Sequence, residues 1–383
     1  MKYSVLLPTR DGGRYLSNVI HSILDDPYED MELVVSDNAN TDETPQILAS
    51  FSGDPRLNAT RQEKFVPVHE NWNHALNKSS GDYILMLGDD DYMLPGYFEK
   101  MDKVLERYDY PECVTYNLHT FIFPNAMGND VGYYKRDFFK FGRKYPAKGG
   151  MVSPEVRFSI LRDMFSFKAP FPLHMAPNLI SRKATERIRG KVFQPPYPDY
   201  YALGSLLMLA ESWAYHPESL LVGGITPHSH GSYQFSLDYK TEVEGLEYLG
   251  IDKEVRTQDP GSPTINQVNT WLEKMKENYH DKLDKVKMDR PNYLLRLVFF
   301  WCLDYRSGSI SSNDLLARFK ELSVSDWFGM FLAGVFSATC WERLWREIKY
   351  FRSHRVQRVW AESQPLESHI TDMKKFSNWL KDQ

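Results

Sequence analysis

Gly81-Asp82-Tyr83-Ile84-Leu85-Met86-Leu87-Gly88-Asp89-Asp90-Asp91 is the stretch that decides how this chain is read. Its apolar middle, Tyr83 to Leu87, is a short run of the kind that forms a buried strand. It ends in three adjacent carboxylates, which repel one another and resist ionisation unless a cation is near. Two upstream runs end in polar residues in the same way. Tyr3 to Leu7 leads into Pro8-Thr9-Arg10-Asp11, and Leu33 to Val35 leads into Ser36-Asp37-Asn38.

Helical signals lie between these runs. Tyr15, Val19, Ile20, Ile23 and Leu24 recur at helical spacing, and Thr41 to Pro45 reads as a helix start, with Asp42 as a cap. Val68 to Asn77 and Pro95 to Tyr108 read as further helices, with a short strand at Leu57 to Thr60. Strand and helix in alternation predict an α/β fold, a mostly parallel sheet flanked by helices. Ligands in such sheets bind beyond the carboxyl ends of the strands, where the three polar turns would converge. Downstream, Cys113 to Tyr116 reads as a strand, 121–150 as loops or a hairpin over the cleft, and Pro154 to Phe167 as a helix. Pro195-Pro196-Tyr197-Pro198 is a rigid turn before a helix that Asp199 opens. Beyond about Leu237 only helices are expected: Leu237 to Leu249, Thr264 to Tyr279, Tyr293 to Tyr305, Ser312 to Leu322 and Ser325 to Phe351, with a linker at Thr257 to Pro263.

The 383 residues suggest one catalytic domain plus an elaboration, and a net charge of -5 argues against nucleic acid as the main partner. Three scattered cysteines show neither a disulfide framework nor zinc spacing, which predicts a reducing, cytoplasmic setting. The opening residues read as a strand, not a signal peptide. No run is long enough to span a bilayer. The segment Trp327 to Trp341, followed by Arg346, Lys349, Arg352, Arg355 and Arg358, suits either a buried helix with a solvated basic successor or a peripheral contact with an anionic membrane.

Each candidate residue has two readings. Asp89, Asp90 and Asp91 suit Mg²⁺ or Mn²⁺, hard ions that bridge carboxylate and phosphate oxygens; otherwise they form a solvated turn with Asp91 capping the next helix. Asp37 suits contact with a base or ribose; otherwise it caps a turn. Pro8, Thr9 and Arg10 could line a nucleotide pocket, with Arg10 stacking on a base or pairing with phosphate. Asp199 is either an N-cap or a general base toward an acceptor hydroxyl, and a helix N-terminus would hold its pKa low. His228 and His230 flank Ser229 in a glycine loop and could reach phosphate or metal.

Residues from Met1 to about Pro95 resemble family 2 glycosyltransferases of the GT-A, Rossmann-like fold. Ser4 to Asp11 is similar to that family's first strand and its Pro-Thr-Tyr-Asn turn. Glu32 to Thr44 is similar to its strand ending in Asp-Asp, and Gly81 to Asp91 to its Gly-Glu-Tyr-Ile strand and Asp-X-Asp motif. The resemblance implies inverting transfer from a nucleotide-sugar donor, UDP-linked by default, to a glycan or lipid-linked acceptor. With it, 1–236 is expected to be the catalytic domain, with a donor half at about 1–110 and an acceptor half at about 111–236; the helical region over 237–383 lies outside the resemblance and is expected to make an acceptor, membrane or oligomer contact. Carried over, Pro8, Thr9 and Asp37 would hold the nucleoside, with Arg10 beside them and Asn71 in a segment that lines the donor side. Asp89 would meet the ribose or diphosphate, and Asp90, assisted by Asp91, the metal; His230 is a metal candidate by residue type alone. Asp199 would be the catalytic base. The sequence departs from the pattern at Arg10, where tyrosine is usual, at Asn38, where the second aspartate is usual, and at Gly88, so the acids stand in a shifted register. A sugar- or nucleotide-binding scaffold and a nucleotidyltransferase are the competing readings. A polymerase palm fits poorly, because the early strand–helix alternation and the negative charge oppose it.

Overall fold

The first strand is buried at every position, as a strand covered by helices on both faces must be. The computed structural model describes residues 1–126, 128–137, 146, 148–168, 173–227, 263–308, 310–336, 341, 345, 349 and 362–383. Its elements run β1 (Tyr3–Thr9), α1 (Gly13–Leu24), β2 (Met31–Asp37), α2 (Thr44–Ser50), β3 (Leu57–Arg61), α3 (Val68–Asn77), β4 (Tyr83–Met86), β5 (Tyr92–Met93), α4 (Tyr97–Arg107), β6 (Cys113–Ile122), β7 (Tyr133–Asp137), β8 (Gly150–Met151), α5 (Pro154–Phe165), β9 (Asn178–Ser181), α6 (Arg182–Thr185), α7 (Pro198–Leu209) and β10 (Trp213–Ile225). After residue 262 come α8 (Pro263–Asn278), α9 (His280–Leu283), α10 (Arg290–Ser307), α11 (Ser312–Glu321), α12 (Val324–Phe336), β11 (Gln364–Pro365) and α13 (Met373–Lys381).

The sheet order is β11-β7-β6-β9-β4-β1-β2-β3, with β10 alongside β6. β3, β2, β1 and β4 are parallel neighbours, and β10 is parallel to β6 over its length. β9 joins the two parallel groups by running antiparallel to both β4 and β6. β7 pairs with β6 as the hairpin expected in that region. The expected strands and helices of the first hundred residues all form, and their register brings the ends of β1, β2 and β4 to one edge.

One long strand went unread in the sequence. β10 is interrupted at His216-Pro217-Glu218, where its register against β6 shifts, so it does not show a clean alternation. The helices after residue 262 are no separate layer either. Trp271, Met275 and Tyr279 of α8 and its end, and Tyr293, Leu297 and Trp301 of α10, lie in the same core as Leu203 and Leu206 of α7. At Gly204 an added Cβ would come within 2.9 Å of the Trp271 ring, so glycine sets how closely α7 and α8 cross. The last segment turns back to the sheet. β11 pairs with β7, and Ile370, Met373 and Phe376 pack on Phe121, Phe123 and Val222. The helix expected at Leu237 to Leu249 and most of the linker at Thr257 to Pro263 lie outside the described residues; Pro263 itself begins α8.

Candidate functional site

The turns after β1 and β2 are laced together before any ligand arrives. Asn40 Oδ1 accepts from the Asp11 amide at 3.0 Å, Asp11 Oδ1 accepts from the Thr41 amide at 2.9 Å, and Asp42 Oδ2 accepts from the Gly13 amide at 2.7 Å. Asp42 also accepts from the Thr44 amide at 3.1 Å, but it is not the N-cap of α2: that position is Glu43, which makes no side-chain cap hydrogen bond. Arg10 turns its guanidinium back onto the carbonyls of Asn38 and Ala39, at 3.0 and 2.9 Å, and lies over the Phe65 ring. Its cation therefore stiffens the pocket wall.

Asp37 is buried. Its Oδ1 accepts from the Asn40 amide at 2.7 Å and its Oδ2 pairs with Arg61, so a base or ribose would meet only the remaining lone pairs. Asn38 exchanges two hydrogen bonds with the Val66 backbone. Asn71, also buried, exchanges hydrogen bonds with Ser36 at 2.6 and 3.3 Å. Pro8 lies within β1 opposite Ser36.

The three adjacent aspartates point three ways. Asp89 turns toward β1: its Oδ2 accepts from Thr9 Oγ1 at 2.6 Å and from the Arg10 amide at 3.4 Å. Gly12 leaves it room, since a Cβ there would sit 2.1 Å from that oxygen. Asp91 turns inward. Its Oδ2 accepts from the Gly88 amide at 2.7 Å and its Oδ1 from the Gly224 amide at 3.1 Å, which ties the acidic turn to the end of β10. It does not cap α4, whose N-cap is Gly96. Asp90 keeps the least committed carboxylate, with Thr226 donating to it at a long 3.4 Å. Gly224 is required here, because a Cβ would come within 2.0 Å of the Asp90 carbonyl oxygen.

Burial dominates the electrostatics. It pushes Asp89 up to about 6 against the Thr9 and Arg10 hydrogen bonds. It raises Asp90 well above the carboxylate range, and the charges of Asp91 and Asp89 add to it. Asp91 is raised by burial, partly offset by His174 and by the two amides it binds. A divalent cation would relieve this repulsion, so the donor chemistry fits Mg²⁺ or Mn²⁺. Such ions bind through one or two carboxylates and take phosphate and water for the rest. Among the described residues no three acidic, imidazole or thiol groups form a cage. His228 and His230 lie outside the described residues.

Asp199 is the second residue of α7 and not its N-cap, which is Tyr197; it is half-buried, and its Oδ1 accepts from the Tyr200 amide at 2.9 Å. The helix end was expected to hold its pKa low. Instead burial pushes it up to about 6, and the opposing charge of His174 and the backbone hydrogen bonds only partly offset this. Desolvation outweighs the helix end because the carboxylate has no ion-pair partner among the described residues. His174 acts electrostatically on both Asp91 and Asp199, which links the start of α7 to the acidic turn.

A cavity of about 410 Å³ opens beside α1, lined by Arg14, Tyr15, Asn18, Phe123, Asn125 and Asp372 among others. Burial raises the Tyr15 phenol; Arg14 opposes this, and the Asp90 charge adds to it, which places the cavity near the acidic turn. Sequence reading missed His174, Gly224 and Thr226. A glycine pair inside a strand could have pointed to Gly224; His174 carries no local signal.

Residues 4–165 match the model of "Glycosyl transferase family 2". The chain is 30% identical over 115 residues to the putative glycosyltransferase EpsE of Bacillus subtilis, covering 30% of this chain and 41% of that one. It is 30% identical over 110 residues to a GalNAc(5)-diNAcBac-PP-undecaprenol beta-1,3-glucosyltransferase of Campylobacter jejuni, covering 28% and 36%. The chain thus spans less than half the length of these relatives. The crystal structure of S. aureus TarS 1-349 in complex with UDP-GlcNAc aligns over 81% of this chain and 83% of that one, at 14% identity and a TM-score of 0.47.

Proposed function

We propose, from the family 2 match over residues 4–165, that the protein transfers a sugar from a nucleoside diphosphate donor, UDP-linked by preference, to a hydroxyl of a glycan or lipid-linked saccharide. One observation carries this reading. A cluster of carboxylates at the edge of the parallel strands has raised pKa values, and His174 acts electrostatically on both Asp91 and Asp199. Groups perturbed in this way by burial and by specific neighbours mark sites of chemistry.

In this reading the laced turns after β1 and β2 hold the nucleoside. Asp89, steadied by Thr9 and the Arg10 amide, orients the ribose or diphosphate. Asp90 holds Mn²⁺ or Mg²⁺, which when bound supplies positive charge to the leaving diphosphate. Asp199 takes the proton from the acceptor hydroxyl as that oxygen attacks the anomeric carbon from the side opposite the leaving group, inverting the centre in one displacement. A carboxylate titrating near 6 is ionised at neutral pH yet basic enough to accept that proton as it is released. The proposed setting is the cytoplasm, with peripheral contact at the cytoplasmic membrane face.

Calorimetric titration of UDP, dTDP and GDP, each with and without Mn²⁺, tests the reading. The expected result is tight binding of one nucleotide only with metal, lost in Asp90→Asn. Metal-independent binding that survives Asp90→Asn would remove the role given to Asp90. No binding of any nucleotide would leave a scaffold.

A further inference from the structure

α12 turns most of its large apolar residues outward, while Gly329 and Met330 face the protein. Gly329 presses on α10, where an added Cβ would lie 3.1 Å from Pro291 Cγ, and Met330 is buried beside it. Arg290 donates to Asp326 at 3.0 Å, and the Ser323–Asp326 cap secures the helix start. That anchoring leaves Phe328 63%, Phe331 66% and Phe336 83% exposed, with Val324 and Val335 on the same side. The spacing 324, 328, 331, 335 is one helical stripe. Helical Trp341 and Trp345, four residues apart, are also more than half exposed; Trp341 Nε1 donates to the Val335 carbonyl at 2.8 Å, and Lys349 lies over the Trp345 ring. So many exposed large apolar residues on one helix are rare on a face meant for water.

We infer that this face seats the protein on an anionic lipid surface. Charge identifies the occupant. Residues 341–360 carry Arg343, Arg346, Lys349, Arg352, Arg355 and Arg358 against only Glu342 and Glu347. A second copy on the same face would bring two such basic stretches together, whereas acidic headgroups complement one. Phe at the stripe and Trp beyond it suit the boundary between headgroups and acyl chains. Among the described residues no helix is long and apolar enough to cross a membrane, so α12 would lie on the surface. α12 packs on α10, whose Leu297 and Trp301 share a core with α7, the helix that carries Asp199. The seating itself does not depend on the transferase reading.

The test is co-sedimentation of the full chain with vesicles of phosphatidylcholine alone, and with an equal mixture of phosphatidylcholine and phosphatidylglycerol. The expected result is binding to the mixed vesicles only, weakened by raised salt. The double change Phe328→Ser and Phe331→Ser should weaken partitioning by about tenfold or more. Arg352→Glu with Arg355→Glu should weaken it without touching the stripe. Both variants should keep the wild-type circular dichroism spectrum. Absence of vesicle binding, or binding that the phenylalanine changes leave intact, overturns the inference. So does a concentration-dependent dimer that those changes dissolve in a protein that ignores vesicles. No nucleotide or sugar enters the measurement, so its failure is separable from failure of the transferase reading.

Discussion

Titrating Asp199 is the sharpest test of the chemistry. Burial lifts its pKa from 3.8 to about 6. If Asp199 removes the acceptor proton, only its ionised form works. At about pH 5 roughly one molecule in eleven is then ionised, and transfer should run about tenfold below its neutral plateau. An unperturbed carboxylate would lose under roughly a tenth of the rate at that pH. The assay is the initial rate of nucleoside diphosphate release at saturating donor and metal, from about pH 4.5 to 8.5. Donor binding is measured calorimetrically across the same range, to separate any titration of the acidic turn. Asp199→Asn should abolish transfer and leave metal-dependent nucleotide binding intact. His174→Ala, which removes a charge that lowers the pKa of Asp199, should move the acid limb to higher pH. The same shift fixes a stability effect. A carboxylate whose folded pKa lies above its unfolded value costs nothing below 3.8. The cost grows up to about 6 and is complete above it. At about 1.4 kcal/mol per pH unit, ionised Asp199 costs the fold about 3 kcal/mol near neutrality, an upper figure. Asp199→Asn should therefore stabilise the protein near pH 7 and much less near pH 4. A rate that stays flat down to about pH 5, or wild-type transfer by Asp199→Asn, would refute the reasoning.

Asp90 and Asp91 should part company in urea denaturation. Asp91→Ala leaves the Gly88 and Gly224 amides without their acceptor and should cost about 3 kcal/mol, whereas Asp90→Asn should cost nothing or stabilise slightly. Gly12→Ala drives a methyl to 2.1 Å from the Asp89 carboxylate. It should cost about 1–3 kcal/mol and weaken nucleotide binding in calorimetry, because the Thr9 hydrogen bond must break for the carboxylate to swing away. Gly204→Ala meets the Trp271 ring at 2.9 Å. It should lower stability by about 1–3 kcal/mol and leave the nucleotide affinity unchanged, since that crossing lies in the helical core.

The first hundred residues were legible in the sequence because their information is local. A short apolar run ending in polar residues marks a strand and its ligand-facing end together, and β1, β2 and β4 with their turns follow from that pattern. Parallel pairing then brings those ends to one edge, whatever their side chains do. What each acid does with its oxygens was not legible. Asp89, Asp90 and Asp91 are neighbours in the chain, but their partners come from β1 and from β10, and only the fold brings Gly224 and Thr226 against the turn. The pKa of Asp199 went the opposite way to the helix-end argument, because burial is a property of everything packed around a group and the helix end acts only nearby. The packing of the C-terminal helices was not legible either. Their apolar periodicity showed that they bury a face but not which one, and the tertiary structure decided that α8 and α10 join the core around α7 while α12 turns its phenylalanines outward. Periodicity along one chain fixes what a residue can bury; only the packing of distant segments decides what it meets.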